Sequence, residues 1–325
     1  MKPNQEQTTI YNRPFISQRA DPYLYRGPDG MYYFTASVPA YDRIVLRRAS
    51  SIRELPQAEE KTLWVKHDSG PMSLHIWAPE LHRLDGGWYI YFAASETTSR
   101  WKLRPYVLHC MGTDPMEDPW EELGMMQSAE GDRFSFRDFS LDATVFSHRS
   151  EHYFVWAEKV NKGKKISNLY IARMSGPTRL ATSQVLLSSP DYDWERVGFW
   201  VNEGPAFLEH DGRIFLTYSA SETGECYCMG MLSISSDADL LDPGAWKKER
   251  LPVLCSDAEK GIYGPGHNSF VKAEDGRTDL CIFHARPYPR IKGNPLYDPN
   301  RHALLMEIKY DKTGYPVFEY CPQLF

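Results

Sequence analysis

Three acidic residues stand at the starts of apolar segments that lie far apart in the chain. Asp21 lies in Arg-Ala-Asp-Pro, Asp142 in Leu-Asp-Ala-Thr and Glu203 in Asn-Glu-Gly-Pro. Carboxyl groups that meet in one site can divide acid and base work, because an ionised one takes a proton from water while a protonated one donates to a leaving group. A single glutamate ahead of a strand is more often a solvated loop charge. The elements that carry these residues therefore decide whether they form a site.

One hairpin pattern occurs five times along the chain. Each copy has a small or acidic opening, a short apolar strand, a polar turn and a second strand rich in aromatic residues. Apolar runs separated by turns such as Asp-Gly are typical of β-hairpins. The copies span residues 20–37, 78–95, 141–158, 202–221 and 264–286.

The spacing of these copies predicts the fold class. Each period leaves room for two further strands, as in the four-stranded blade of a β-propeller. Helical signals are weak, since capped apolar runs are missing and 23 prolines are scattered through the chain. We predict an all-β, five-bladed β-propeller in which each blade is a four-stranded antiparallel sheet. Residues 1–325 would form a single domain.

A propeller would bring the three carboxylates together. The first strand of each blade lines the central channel, so that equivalent repeat positions form a ring at one end of it. Three negative charges brought together destabilise a fold unless the site uses them. We therefore predict a functional site at this end of the channel. The ring positions hold Asp21, Ala78 with Pro79, Asp142, Glu203, and Gly266 with His267.

Composition limits the partners of the chain. The 325 residues carry a net charge of -6, which leaves no basic excess for binding phosphates. Residues 1–7 are polar, and no stretch approaches the roughly 20 apolar residues of a membrane span. We expect no nucleic-acid partner, no membrane partner and a cytoplasmic location. The sequence leaves the oligomeric state open.

Five motifs occur in the order and at the spacing of a known family. They are Arg-Ala-Asp-Pro (19–22), His-Ile-Trp-Ala-Pro-Glu (75–80), Leu-Asp-Ala-Thr (141–144), Val-Asn-Glu-Gly-Pro (201–205) and Tyr-Gly-Pro-Gly-His-Asn-Ser (263–269). With these motifs the chain resembles glycoside hydrolase family 43, the arabinanase and xylosidase group of five-bladed propellers. Further matches at 200–206, 263–270 and 295–302 make it most similar to exo-acting α-L-arabinofuranosidases of the α-1,5-arabinan type.

The resemblance implies a reaction and a role for each carboxylate. A glycosidase of this kind would release terminal α-L-arabinofuranosyl residues from α-1,5-linked arabino-oligosaccharides or arabinan, with inversion. We expect no appended carbohydrate-binding module within the 325 residues. Asp21 would be the general base, Glu203 the general acid, and Asp142 the residue that orients the acid and modulates its pKa. An inverting pair lies about 6.5–9.5 Å apart, so that water fits between the sugar and the base. We expect an ionised Asp142 to raise the pKa of Glu203, and hydrogen-bond donors to surround Asp21.

Four further residues are candidates for contacts with the sugar. By resemblance, Trp77 would lie against the sugar at the cleavage subsite and Arg286 would bind hydroxyl groups near the acid. Phe34, in the first hairpin, and Asn168, in the segment Ser-Asn-Leu-Tyr-Ile-Ala, are weaker candidates. The structural alternatives are blade packing for the two aromatic residues and a surface salt bridge for Arg286.

His267 is the candidate metal ligand. In glycoside hydrolase family 43, which the chain resembles, a histidine at this position often lies near a bound water or a metal such as calcium. Calcium prefers six or more oxygen ligands, and no loop of the sequence is arranged to supply them. Two alternatives stay open: no cofactor is required, or a calcium ion lies near the propeller axis, bound by His267 directly or through water.

Other functions use the same elements. A β-D-xylosidase or an endo-arabinanase of the same family would have the same three carboxylates, and the loops around the pocket would distinguish them. Exo action requires a closed pocket, whereas endo action requires an open groove. A non-catalytic sugar-binding propeller is the alternative from another class, and the presence of all three carboxylates argues against it.

Overall fold

The computed structural model describes residues 14–160 and 166–321 of the chain. The polar residues 1–7, on which the expected location rested, lie outside the described residues. Strands dominate the described part, so the prediction of an all-β protein is confirmed. None of the helices there has the length and apolar content of a membrane span. Four short 3-10 helices cover Ile52–Gln57, Asp193–Glu195, Pro243–Ala245 and Pro295–Tyr297.

The strands fall into five units that follow one another along the chain. The first unit contains β1 (Ala20–Arg26), β2 (Tyr32–Ser37), β3 (Arg43–Ala49) and β4 (Glu60–Val65). The second contains β5 (Leu74–Leu84), β6 (Gly87–Glu96), β7 (Ser99–Cys110) and β8 (Trp120–Met125). The third contains β9 (Ser140–His148), β10 (Glu151–Val160), β11 (Ile166–Gly176), β12 (Arg179–Leu180) and β13 (Val185–Ser188). The fourth contains β14 (Trp200–His210), β15 (Arg213–Ala220), β16 (Cys228–Ser235) and β17 (Lys247–Lys248). The fifth contains β18 (Tyr263–Lys272), β19 (Asp279–Arg286), β20 (His302–Tyr310) and β21 (Pro316–Val317).

The units are antiparallel, and two of them share a sheet. The first, second and fifth units are separate four-stranded sheets in which the strands pair in chain order. The third and fourth units form one nine-stranded sheet, because β11 and β14 run parallel and pair at Ile166 with Trp200 and at Ser167 with Val201. The sequence predicts separate four-stranded sheets. The structure differs in this short parallel junction and in the third unit, which has five strands because both β12 and β13 pair with β11.

The first strand of each unit lies at the centre of the molecule. β1 contacts both β5 and β18, β9 contacts both β5 and β14, and β14 also contacts β18. The first strands therefore contact one another in cyclic order, from the first unit to the fifth and back to the first.

Each first strand is distorted near its start by a β-bulge. The pairing register with the second strand shifts at this point in all five units. A bulge re-aims side chains and ends regular pairing, and bulges are common next to active sites. In each first strand a residue at the equivalent position of the bulge has the left-handed backbone conformation: Asp21 (φ 52°), Ala78 (φ 46°), Asp142 (φ 50°), Gly204 (φ 56°) and His267 (φ 45°). The register of β5 and β18 shifts once more, and His75 (φ 54°) and Gly264 (φ 59°) are left-handed there.

These five residues are the equivalent positions of the repeat, and they correct one detail of the predicted ring. Asp21, Asp142 and His267 occupy the equivalent position, but in the fourth unit Gly204 occupies it. Glu203 therefore lies one residue ahead of its counterparts, and its side chain leaves the strand from a different point of the bulge. Left-handed non-glycine residues cost about 1–3 kcal/mol each and cluster at functional sites.

Hydrophobic cores fill the spaces between neighbouring units. Tyr33 and Ile44 of the first unit pack with Trp88 of the second, and the other neighbouring units pack in the same way. Leu24 of the first unit packs with Ile282 of the fifth. This last core joins the beginning of the described chain to its end and holds the cyclic order of the first strands.

Candidate active site

The bulged starts of the first strands line a pocket of about 550 Å³. Asp21 of β1, Trp77 of β5, Asp142 of β9, Glu203 of β14 and His267 of β18 all line it. A pocket of this volume is typical of a small-molecule site. The fold thus brings together the three carboxylates, the histidine and the tryptophan that the sequence singled out.

Asp21 is surrounded by hydrogen-bond donors and positive charge. The Ser37 hydroxyl donates to Oδ2 at 2.6 Å, and Arg301 Nη1 and His267 Nδ1 each lie 3.3 Å from Oδ1. Burial raises the pKa of Asp21, but Arg301, His267 and His284 together outweigh burial and hold this pKa well below its usual range. Asp21 is therefore ionised near neutral pH.

His284 stabilises the backbone of Asp21 through a hydrogen bond. The side chain is fully buried, and burial lowers its pKa to about 3, so the imidazole is neutral. Its Nδ1 accepts a hydrogen bond of 3.1 Å from the Asp21 N–H. This bond gives the left-handed Asp21 an amide partner within the distorted start of β1.

Asp142 and Glu203 show the opposite behaviour. Burial raises the pKa of Asp142 well above its usual range, and the negative charges of Glu203 and Asp21 raise it further. Burial also raises the pKa of Glu203, although a hydrogen bond from Tyr227 opposes the shift. Interacting carboxyl groups titrate as a pair. The pair therefore keeps a proton at pH values where ordinary carboxyl groups have lost theirs, and burial is the leading cause for both members.

The position of Glu203 is set by its neighbours along and across the sheet. The Tyr227 hydroxyl donates to Oε1 at 2.9 Å. On one side of Glu203, Asn202 is anchored through its side chain to the buried Glu195 at 2.9 Å. On the other side, a Cβ at residue 204 would lie 3.1 Å from the His267 Cγ, so a glycine at this left-handed position lets His267 pack beside the acid.

His267 contacts two of the carboxylates, Asp21 and Asp142. Its Nδ1 lies 3.3 Å from Asp21 Oδ1 and 3.7 Å from Asp142 Oδ2. Among residues 14–160 and 166–321, no three His, Cys, Asp or Glu side chains are grouped so that they could bind a metal ion. The side chains present around His267 therefore do not fit a metal centre made of protein ligands.

The four predicted sugar contacts have different locations. Trp77 lines the pocket, with its ring centroid 4.3 Å from that of His75. Phe34 is fully buried in the core between the first and fifth units, so it cannot contact a sugar. Asn168 is buried on β11, where it donates to the Tyr170 hydroxyl at 3.2 Å.

Arg286 is absent from the pocket lining, and a different arginine, Arg301, lines the pocket instead. Arg286 is buried and donates to the Pro295 carbonyl at 2.7 Å. Arg301, at the other end of the same β19–β20 loop, contacts Asp21 and lines the pocket. It was missed as an individual residue, although it lies within the matching segment 295–302.

Other residues of the site carried no signal in the sequence. Tyr227 directly precedes β16 and resembles any tyrosine next to a strand, and Ser37 ends β2 without a motif. Two large aromatic side chains, Trp101 and Phe199, line the pocket from loops or strand starts and are 52% and 62% exposed. Phe199 stands among the apolar residues Val197, Trp200 and Val201, so its sequence context resembles that of a core residue.

The fold and the site together define a class of protein. The pocket of this all-β fold contains an ionised carboxylate together with carboxyl groups that keep a proton. A glycosidase uses such groups as its base and its acid. The sequence matches the Glycosyl hydrolases family 43 over residues 11–316. The chain belongs to this family, as its five motifs predicted.

Relatives with known names agree with this assignment. The chain is 44% identical over 311 residues to an extracellular exo-α-(1→5)-L-arabinofuranosidase of Streptomyces avermitilis, a match that covers 96% of this chain and 63% of that protein. It is 47% identical over 285 residues to an enzyme of the same name from Streptomyces chartreusis, covering 88% and 85%. A crystal structure of an α-L-arabinofuranosidase from Lactobacillus brevis has a TM-score of 0.89 at 50% identity, covering 94% and 95%. The chain thus spans less than two thirds of the Streptomyces avermitilis protein.

These relatives contradict the expected cytoplasmic location. Both Streptomyces enzymes are named as extracellular, which points to a secreted protein. The expectation rested on the polarity of residues 1–7, and these few residues do not determine where the folded domain acts. The prediction of a cytoplasmic protein is therefore wrong.

Proposed function

We propose that this protein is an inverting exo-α-L-arabinofuranosidase. It releases terminal α-L-arabinofuranosyl residues from α-1,5-linked arabino-oligosaccharides and arabinan. The names of the relatives that match most of the chain support this substrate. The observation that carries the proposal is the opposed pKa shift of Asp21 and of the Asp142–Glu203 pair within one pocket.

The opposed shifts supply an acid and a base at the same pH. Asp21, ionised beside Arg301, takes a proton from the attacking water, whose oxygen bonds to the anomeric carbon. Glu203, kept protonated by burial, donates its proton to the glycosidic oxygen as the bond to the leaving sugar breaks. Free arabinose and a shortened chain are the products, and a proton returns from Asp21 to Glu203 through solvent before the next turnover.

Asp142 acts on the acid rather than on the sugar. Its Oδ2 faces His267, and the Gly204 amide beside Glu203 hydrogen-bonds to it. Because Asp142 and Glu203 compete for one proton, each raises the cost of ionising the other. The sequence led us to expect an ionised Asp142, whereas burial and the neighbouring carboxylates raise its pKa well above its usual range.

The architecture best suited to these contacts is a single five-bladed β-propeller. In this proposal each of the five units is one blade, and the parallel junction between β11 and β14 is a local contact between the third and fourth blades. The cyclic contacts of the first strands and the core between the first and fifth units support closure. Residues 1–325 would then act as one catalytic domain.

Exo action is supported by the wall that the β19–β20 loop adds to the pocket. Asn294 and Leu296 of this loop line the pocket. The loop is held in place because Tyr41 donates to the Leu296 carbonyl and Arg286 donates to the Pro295 carbonyl. A loop held in place at one side of the cleavage site leaves room for the end of an arabinan chain. It blocks a chain that extends past the site in both directions.

No metal step enters the proposed mechanism. Arg301 and His267 lower the pKa of Asp21 directly, so the base is ionised without a metal ion. We expect purified enzyme to keep its rate within about twofold after exhaustive chelation, since the acid and base act without a Lewis acid. A loss that added calcium restores would favour the calcium alternative.

The proposed function is tested by a product assay with the purified protein. Linear α-1,5-arabinotriose, polymeric arabinan and nitrophenyl β-D-xyloside are incubated separately, and products are resolved over time. Arabinose as the first product from arabinotriose and arabinan, with slow or no xyloside turnover, is the expected result. Oligosaccharides as first products from arabinan would indicate an endo-arabinanase, and xyloside turnover alone would indicate a xylosidase. No turnover of any substrate would favour a binding protein.

A further inference from the structure

Three cysteines lie close together in the fourth unit, and the proposed mechanism uses none of them. Cys226 and Cys228 stand on either side of Tyr227, and Cys228 is the first residue of β16. Cys255 follows Leu254, a residue that pairs with β16. All three are free thiols. Two thiols that meet across a pair of segments can form a disulfide bond, so their register decides what they can do.

The pairing of the two segments places Cys228 opposite Cys255. Met229 and Leu254 form an antiparallel bridge, in which the Met229 N–H donates to the Leu254 carbonyl at 2.8 Å. One residue further along each segment, the antiparallel direction brings Cys228 against Cys255. Hydrogen-bonded and non-hydrogen-bonded pairs alternate in such a ladder, and the second kind has Cα atoms about 4.5 Å apart. This separation lies within the range of about 4.4–6.8 Å that a disulfide bond spans.

The two cysteine side chains also lie on the same face of the paired segments. Met229 and Leu254 both pack in the core between the fourth and fifth units. Successive side chains of extended backbone point to opposite faces, so Cys228 and Cys255 both point away from that core. Cys228 accordingly packs in a core that also contains residues of the third unit, with its Sγ 3.9 Å from the Trp194 carbonyl oxygen.

Cys226 has different surroundings from Cys228. Its Sγ lies 3.7 Å from the Glu222 carbonyl oxygen and 3.9 Å from that of Val197, so it contacts the loops next to β14 and β15. It lies ahead of β16 and is only partly buried. Cys226 is therefore the competing partner for Cys255 and a matched control for Cys228.

The two opposed thiols differ in access and in reactivity. Cys255 is exposed, whereas Cys228 is buried. Burial and then the neighbouring Cys255 raise the pKa of Cys228 to about 12. The thiolate is the reactive form of cysteine, so a dissolved reagent reacts first at Cys255. Cys228 reacts afterwards, with a sulfur that Cys255 holds beside it.

We propose that Cys228 and Cys255 are a redox modification site, which a small-molecule disulfide such as oxidised glutathione converts into a cross-strand disulfide bond. The Cys255 thiolate attacks one sulfur of the oxidant, forms a mixed disulfide and releases one reduced thiol. The Cys228 thiolate then attacks the Cys255 sulfur, which closes the bond and releases the second reduced thiol. The two protein thiols lose two protons and two electrons, and the oxidant takes up both.

The bond restrains the segment that carries a contact to the general acid. Tyr227 directly precedes Cys228, and its hydroxyl donates to Glu203 Oε1 at 2.9 Å. On the other side of Tyr227, the Ser256 hydroxyl donates to the Glu225 carbonyl at 2.6 Å. A disulfide at Cys228 adds a covalent link next to this hydrogen-bonded one, and it also restricts the unfolded chain. Oxidation therefore stabilises the folded state around Tyr227.

The test oxidises the folded, purified protein and maps its thiols. The protein is incubated with oxidised glutathione at about pH 8.5, where thiols ionise. Remaining thiols are then blocked, and tryptic peptides are analysed without reduction. Cleavage at Lys248 and Arg250 separates Cys228 from Cys255, so their bond appears as a linked pair of peptides. We expect this pair to form over minutes to hours and to disappear on treatment with reduced glutathione.

Thermal unfolding measures the restraint. The midpoint of the oxidised protein should exceed that of the reduced protein by about 3–6 °C, the scale of one disulfide bond in a domain of this size. Cys255→Ser changes an exposed residue, and it should remove both the linked peptides and the shift. Cys228→Ala should do the same, whereas Cys226→Ser should keep both.

Three results would refute the inference. Wild-type protein that carries only glutathione on Cys255, without linked peptides, would show that the two thiols do not meet. Linked peptides that persist in Cys228→Ala and vanish in Cys226→Ser would assign the bond to Cys226. Linked peptides without a rise in the midpoint would contradict the restraint on the Tyr227 segment. None of these measurements uses a substrate, so they are independent of whether the proposed function holds.

Discussion

The two ends of the space enclosed by the first strands differ in chemistry although the same strands form both. At the bulged end, Asp21, Asp142, Glu203 and His267 line a pocket of about 550 Å³. Further along the same strands, a second cavity of about 470 Å³ is lined largely by apolar and aromatic side chains. Its residues from these strands include Leu24, Val145, Phe207 and Val271.

The difference lies in the backbone. At the second cavity the first strands pair regularly with their neighbours, so alternate residues pack into the cores between units. At the active end each strand carries a bulge and a left-handed residue, which turns polar side chains inward. We infer that the regular end supplies the stability that offsets the strain and buried charge of the irregular end. Substitutions at the two ends should then separate activity from stability.

The largest effect on rate is expected at Asp21. In Asp21→Asn the base can no longer take a proton from water, so kcat/KM for arabinobiose should fall by about 10²- to 10⁴-fold. Thr144→Val, which alters a residue lining the second cavity, should keep the rate near that of the wild type. A steady-state assay of both variants checks this comparison, and a near-normal rate in Asp21→Asn would show that another group acts as the base.

Asp142 should show opposite effects on activity and on stability. Asp142→Asn should lower the rate by about a hundredfold, since the acid loses the partner that holds it and tunes its pKa. A carboxyl group whose folded-state pKa is raised contributes stability below its unfolded pKa and loses that contribution as pH rises through the folded value. The variant should therefore be more stable than the wild type at pH 8, by about 1–2 kcal/mol, and gain little at pH 4.

Denaturant unfolding at the two pH values measures this difference. Thr144→Val again serves as the control, because it removes no titrating group and its effect should not depend on pH. An Asp142→Asn variant that is less stable at pH 8 than at pH 4, relative to the wild type, would contradict the raised pKa of Asp142.

A smaller effect on rate is expected at Tyr227. Its hydroxyl stabilises the ionised form of Glu203, so its removal in Tyr227→Phe should raise the pKa of the acid further. The basic limb of the pH profile of kcat/KM should move to higher pH, with a change of about two- to fivefold at the optimum. Tyr218→Phe is the matched control, since the Tyr218 hydroxyl bonds to the buried Glu195 and should affect stability alone. A basic limb that moves to lower pH in Tyr227→Phe would contradict the geometry.

The smallest effect on rate is expected at the regular end. The ring of Phe207 is stacked on that of Phe146 with a centroid distance of 4.1 Å. Phe207→Ala should lower the free energy of unfolding by about 1–3 kcal/mol while the rate per folded molecule stays unchanged. Paired unfolding and rate measurements check this expectation. A loss of rate without a loss of stability would mean that the two ends are coupled.

Much of the fold and of the active end can be predicted from the sequence, because hairpin repeats and turn residues are local signals. The repeats locate Asp21, Asp142 and His267 at equivalent positions, and the structure brings them into one pocket. The one-residue offset of Glu203 depends on where the bulge forms, which is set by pairing with β15 and not by the local sequence.

Two of the predicted sugar contacts, Arg286 in a loop and Phe34 in a strand, lie outside the pocket lining. Arg286 and Arg301 end the same loop, and which of them reaches Asp21 depends on the path that Tyr41 and Pro295 fix through tertiary contacts. Phe34 lies on β2, a strand whose residues are all buried, and it packs in the core between the first and fifth units. Tertiary packing decided each of these cases.

The central claim is that Glu203 protonates the leaving group, and one pair of rates tests it most directly. The value of kcat/KM is measured for wild type and Glu203→Ala on arabinobiose and on 2,4-dinitrophenyl α-L-arabinofuranoside, whose leaving group scarcely needs a proton. We expect a loss of about 10²- to 10⁴-fold on arabinobiose and of less than about tenfold on the dinitrophenyl glycoside. Equal losses on the two substrates would contradict the assignment of Glu203 as the general acid.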